Sequence, residues 1–225
     1  MFLGHFGVGF GAKTAVPKVS LGTLLLAAQF LDLLWPTLLL LGIERVNIRT
    51  GGKQYPPLDF VHYPYSHSLL MVILWAVLFG AVYYFFRRNR AGAIVLGLAV
   101  ISHWVLDLIV HIPDLPLYPG DAQRFGFALW SSPMIEMVLE LSIFALGAWL
   151  YLHTTKAIDA TGRWALWSLL AFLVTIHLAN TFGPPPPSVP AIAWAGQAQW
   201  LLVAWGYWVD RHRAISAAHT RFQFE

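Results

Sequence analysis

Six apolar runs, each long enough to cross about 30 Å of hydrocarbon as a helix, decide most of what this chain can become. They fall near residues 21 to 43, 67 to 86, 91 to 112, 133 to 153, 164 to 182 and 190 to 209. The breaks between them are polar or helix-stopping: a Gly/Pro-rich loop at 51 to 64, Arg87-Arg88-Asn89-Arg90, a Pro/Gly/Asp loop at 113 to 121, Asp159 to Gly162, and the four prolines Pro184 to Pro187. Backbone in lipid must satisfy its own N–H and C=O groups, so the expected fold is all-α, a polytopic bundle of about six transmembrane helices in one domain over 1–225. Composition agrees, with 58% hydrophobic and 11% charged residues where soluble domains carry about a quarter charged. Many of the eleven Trp and eight Tyr stand near the ends of the runs, as interfacial aromatic belts do.

Lys and Arg set the expected orientation. A cytoplasmic N-terminus puts Lys13, Lys18, Arg87, Arg88, Arg90, Lys156, Arg163, Arg211, Arg213 and Arg221 inside and leaves Arg45, Arg49, Lys53 and Arg124 outside. The expectation is therefore a multi-pass protein with both termini cytoplasmic. The net charge of +3 then reflects the positive-inside bias, and no basic strip with interleaved aromatics suggests nucleic acid. The stretch from Met1 to Ala12 lacks the basic start of a secretory signal and is expected to remain on the protein. With no cysteine, a bound metal must be held by His, Asp or Glu.

Ionisable side chains inside apolar spans are costly and point to function when several share one depth. Asp32 is near the middle of the first run, His67 opens the second, and the third places His103, Asp107 and His111 at successive i, i+4 steps on one helical face. The fourth opens with Pro133, carries Glu136 in its first turn and Glu140 one turn deeper. In the expected topology His67, His103, Asp107, His111, Glu136 and Glu140 all lie in the outer half of the bilayer. Imidazole and carboxylate suit Zn²⁺, Mn²⁺ or Fe²⁺, and a cation would compensate carboxylates in hydrocarbon. More than four candidate ligands imply two or more ions. Such ions acidify water and stabilise oxyanions, which is hydrolase chemistry.

Bland readings stand beside these. His103 with Asp107 could be a hydrogen-bonded pair, Asp32 a packing contact or proton relay, and Glu136 a partner of the helix dipole. His62, Asp114 and Asp121 read as solvated loop residues, and His153, His212 and His219 as surface residues. His177, with Asn180 and Thr181, reads as a cavity lining or an interhelical hydrogen bond. His5 belongs to a run from Phe2 to Phe10 that is too short to span. If that segment is re-entrant or interfacial and dips to meet Asp32, His5 becomes a ligand.

His5, Asp32 in Gln29-Phe30-Leu31-Asp32, Ser66-His67-Ser68-Leu69, Ser102-His103 with Leu106-Asp107, and Leu129-Trp130 leading to Pro133 together resemble the YdjM-like group of bacterial inner-membrane proteins described as metal-dependent hydrolases. The resemblance covers roughly residues 1 to 140. That group is distantly similar to zinc-dependent phospholipase C and related nucleases, helical enzymes with a three-zinc site. The resemblance implies that His5, Asp32, His67, His103 and Asp107 are metal ligands, with Asp107 bridging two ions, and that His111, Glu136 and Glu140 complete another position. It departs at Glu136, where the soluble enzymes carry histidine, and at Tyr63-Pro64-Tyr65, where a basic residue usually precedes the Ser-His-Ser motif.

The expected protein is thus an inner-membrane hydrolase holding two or three Zn²⁺, with Mn²⁺ as the alternative. Its partners are membrane lipid and a lipid or amphiphilic substrate with a phosphoester or related bond. Asp32, Glu136 and Glu140 are the candidates for general base. The competing expectations are a transporter or ion-handling protein, against which no repeat and no paired broken helices are evident, and a non-catalytic protein with a structural metal.

Overall fold

The computed structural model describes residues 1–49 and 55–216. Lys53, His219 and Arg221, weighed above, lie outside the described residues.

The chain is mostly helical. A short helix α1 (Leu3–Gly11) leads through a 3₁₀ turn, Ala12–Thr14, to α2 (Leu21–Ala28) and α3 (Phe30–Leu40). An antiparallel hairpin of β1 (Arg45–Ile48) and β2 (Leu58–His62) comes next, then a single turn α4 (Pro64–His67) and the long helices α5 (Leu69–Arg87), α6 (Arg90–Val110) and α7 (Pro133–Thr154). The strand β3 (Thr155–Ala157), α8 (Ala160–Phe182), α9 (Val189–Gln197), α10 (Gln199–Arg211) and β4 (Arg213–Ile215) complete the described elements. Strands β3 and β4 pair antiparallel and tie the end of α7 to the end of α10.

Helices α5, α6, α7 and α8 are each long and apolar enough to cross a membrane, and α2 with α3 form a further apolar pair bent by 58°. Their outer surfaces suit lipid. Leu74, Val77, Leu78, Phe85 and Phe86 on α5, and Ile135 and Val138 on α7, are exposed as soluble proteins rarely allow. The expected sixth span over 190–209 is not one helix. It is divided at Ala198 into α9, of 9 residues, and α10, of 13, neither long enough to be a span by itself. Instead α9 packs along α3 and α10 along α2. Two broken helices therefore lie side by side, which the apolar runs did not foretell. The two β-ribbons also refine the all-α expectation, and part of the loop placed at 51 to 64 is strand β2.

Local chemistry sets the helix ends. Asn89 caps α6 by accepting from the Gly92 N–H, Asp159 caps α8 through Gly162, and Ser188 caps α9 through Ala191. The left-handed Arg88 (φ 51°) reverses the chain between α5 and α6. Helix α1 lies inside the bundle, with Leu3, His5, Phe6 and Phe10 all buried, packed on α7, α2 and α6. Glycines permit that close crossing: a Cβ at Gly7 would stand 2.6 Å from the Ile143 carbonyl oxygen, and one at Gly147 would overlap the Gly7 carbonyl oxygen. The N-terminal segment, expected as re-entrant or interfacial, is this short enclosed helix. Below it, Lys13 Nζ reaches Asp210 at 2.8 and 2.9 Å and the Val19 carbonyl at 2.8 Å, fastening the α1–α2 connection to α10.

Candidate metal centre

Three helices and one short turn deliver the central side chains. The i, i+4 spacing on α6 turns His103 and Asp107 inward, 0% and 1% exposed, while Val105 between them faces outward. The break at Gln29 ends α2, so Asp32 enters in the first turn of α3. His67 closes the turn α4, whose first residue, Pro64, has a fixed φ suited to starting a helix. His5 comes from the buried face of α1, its ring stacked on His103 with centroids 3.5 Å apart.

Four atoms converge. His103 Nε2 lies 3.2 Å from Asp107 Oδ2 and 3.6 Å from Asp32 Oδ1, and His67 Nε2 lies 3.8 and 3.7 Å from the same two oxygens. Asp32, His67 and His103 offer ligand atoms that all lie within 4.8 Å of one another, close enough to share one cation, and Asp107 Oδ2 adjoins both imidazoles. The tautomers agree. His103 Nδ1–H donates to the Ala28 carbonyl at 2.8 Å, leaving the Nε2 lone pair without a hydrogen-bond partner. Imidazole lone pairs and carboxylates gathered this closely repel one another, a repulsion that a cation among them would relieve. The donor set fits a divalent metal.

Asp107 faces a second neighbour through its other oxygen. Oδ1 lies 3.1 Å from His5 Nε2 and accepts from the Met1 α-amino group at 2.6 Å. His5, His103 and Asp107 form a second group able to hold an ion, beside Asp32, His67 and His103. His103 is common to both groups, and Asp107, of the group with His5, also has Oδ2 3.8 Å from His67 Nε2 of the other.

The structure does not bring every expected residue to this point. His111 stands apart: α6 ends at Val110, and the extended backbone at His111 (ψ 143°) ahead of Pro113 carries its ring off the His103–Asp107 face. Its Nδ1 lies 2.8 Å from Asp114 Oδ1, and its ring packs on Trp130. Asp114, read as a solvated loop residue, is instead largely enclosed and also accepts from the Tyr63 hydroxyl at 2.7 Å. Burial, with that carboxylate beside it, holds the Tyr63 phenol well above its ordinary pKa. Asp121 is likewise buried, accepting from the N–H groups of Leu117 and Gln123. A cavity of about 260 Å³ lies against Asp114 and Trp130, also lined by Arg49, Tyr55 and Ser131; none of the converging histidines and aspartates lines it.

Glu140 is committed to α1. Its carboxylate accepts from the N–H of Phe2 at 2.9 and 3.0 Å and of Gly4 at 3.1 Å, the exposed donors of that helix's start. Glu136 is fully buried, with neither oxygen hydrogen-bonded. His177 is also fully buried, its Nδ1 4.0 Å from Glu140 Oε2 and neither ring nitrogen hydrogen-bonded. Sequence reasoning missed Glu44. It follows the first apolar run beside Arg45 and reads as a loop residue, yet it is 1% exposed and bonded to the turn that carries His67.

In comparisons with known proteins, no family model, no curated protein and no solved structure matches the chain.

Proposed function

We propose that this protein is a membrane-embedded, metal-dependent hydrolase of a phosphoester or related bond in a lipid or amphiphile. The observation that carries the reading is the convergence of His67 Nε2, His103 Nε2, Asp32 Oδ1 and Asp107 Oδ2 between apolar, membrane-length helices. A divalent ion held there, Zn²⁺ or Mn²⁺, supplies Lewis acidity that lowers the pKa of water and stabilises oxyanions. Asp32, His67 and His103 would hold one ion, and His5 with Asp107 a second. The Asp32 side chain is 25% exposed against 0–6% for His5, His67, His103 and Asp107, so it is where a substrate would meet the group. Asp32 is accordingly the favoured proton acceptor, since Glu140 is occupied by α1 and Glu136 has no hydrogen-bonded partner. A site among lipid-facing helices suits a substrate dissolved in the bilayer. Membership of the YdjM-like group, an inner-membrane location with both termini cytoplasmic, and a site toward the outer leaflet belong to the same proposal.

The bent pair α2–α3, with α10 and α9 packed along it, favours a second reading, because transporters build ion sites at such breaks. Elemental mass spectrometry of detergent-purified protein, followed by assays for release of diacylglycerol, phosphatidate or head group from short-chain phospholipid with and without chelator, separates the two. Bound metal and chelator-sensitive release support the hydrolase. Metal-free protein, even after purification with added zinc or manganese, overturns it and makes proton or solute flux in proteoliposomes the next assay.

A further inference from the structure

Glu44 lies in the turn after α3, 1% exposed, and its carboxylate is fully used. Oε1 accepts from the N–H of Tyr65 at 2.8 Å and of Ser66 at 2.9 Å, and Oε2 accepts from the Ser66 hydroxyl at 2.6 Å. Ser66 Oγ also lies 2.7 Å from His67 Nδ1. A hydroxyl has one proton, and the carboxylate, an acceptor only, claims it at the shortest of these distances. Ser66 Oγ can therefore only accept from His67, which must carry its proton on Nδ1. That leaves the Nε2 lone pair pointing at Asp32 and Asp107.

We infer that Glu44 and Ser66 are positioning residues: they form a carboxylate–hydroxyl–imidazole relay that fixes the tautomer and ring orientation of His67 as a ligand. The inference rests on the metal-centre reading for its consequence, though not for its geometry. Both remaining donors of the relay are backbone N–H groups of the first turn of α4, so one buried carboxylate anchors the turn and tunes the side chain it presents. His103 achieves the same tautomer with the Ala28 carbonyl. The two imidazoles are thus held by unlike partners, one through a side-chain relay and one by backbone.

The experiment pairs zinc titration with nitrogen-15 NMR of the His67 ring, in detergent, on wild type, Ser66→Ala, Ser66→Thr and Glu44→Gln. Ser66→Ala keeps the Glu44 bonds to backbone and removes only the hydroxyl, so the fold should survive. The expected result is a zinc affinity lowered about 10–100-fold in Ser66→Ala, an intermediate loss in Glu44→Gln and near wild-type affinity in Ser66→Thr. In zinc-free wild type His67 should show protonated Nδ1, and in Ser66→Ala a mixture of tautomers. Equal zinc affinity in wild type and Ser66→Ala, or protonated Nε2 in wild type, overturns the relay. Wild type that binds no zinc but shows protonated Nδ1, lost in Ser66→Ala, sinks the hydrolase reading and keeps the relay.

Discussion

His103 donates its Nδ1–H to the carbonyl of Ala28, 2.8 Å away, across the break between α2 and α3. Ala28 is the last residue of α2, where the helix runs out of its own donors for its final carbonyls. The bend therefore does two things at once. It lends His103 a fixed acceptor and it swings Asp32 to the same point from the next helix.

The first expectation concerns the ion itself. Wild-type protein purified with zinc should carry one to two equivalents, given the two overlapping ligand groups. His103→Ala should lose nearly all of it, because His103 belongs to both groups, and Asp107→Asn should lower it by removing the carboxylate of the group with His5, whose Oδ2 also adjoins His67. Elemental mass spectrometry on protein matched for helicity checks this. Full zinc content in either variant would count against the centre.

Glu140→Gln tests a different assignment. If that carboxylate mainly holds the start of α1, neutralising it weakens charge-assisted bonds to the N–H groups of Phe2 and Gly4, at a cost of about 1–3 kcal/mol. Thermal unfolding in detergent should fall by several degrees, while ligands from α6, α3 and α4 still bind one ion. Complete loss of zinc with unchanged stability would instead make Glu140 a ligand.

Much of this was legible beforehand, for physical reasons. His103 and Asp107 could be read because a long apolar helix fixes their spacing on one face, and apolar length alone gave four of the spans closely. His111 misled because the same i, i+4 rule holds only while the helix lasts, and Pro113 ends it one residue too early. The break at Gln29 carries neither glycine nor proline, so nothing local announced it. Glu44 was invisible because a carboxylate after a span, next to Arg45, has the look of a solvated loop, and only the tertiary fold buries it.

At the end of the bundle marked by β3 and β4, acidity should be felt through Asp159. Its carboxyl is held below the ordinary carboxylate range first by the hydrogen bond from His212, at 2.8 Å, and then by the N–H of Gly162 that it caps. A carboxylate whose folded pKa is depressed adds stability above its unfolded pKa of about 3.9, and that stability is lost as pH falls through the folded value. Thermal midpoints measured from pH 7 down to pH 3 should decline at the acid end, and Asp159→Asn should shallow that decline without altering zinc content. An unchanged acid limb would remove Asp159 from the account.

The close crossing of α1 on α7 makes the sharpest structural demand. A side chain at Gly147 would overlap the Gly7 carbonyl oxygen, and neither neighbour is a flexible tip that could swing aside. Gly147→Val must therefore push α1 away from α7 or unfold it, at about 3 kcal/mol, the upper range for overpacked interiors. Because α1 carries His5 and no other member of the two groups, displacement should spare the Asp32, His67 and His103 group. Zinc stoichiometry in a folded Gly147→Val protein should then fall toward one ion, with the remaining ion bound at near wild-type affinity. Gly147→Ala should give a milder form of the same result. Should Gly147→Val stay folded with two ions and unchanged affinity, His5 would not be a ligand, and the stacked pair of His5 and His103 would be packing alone.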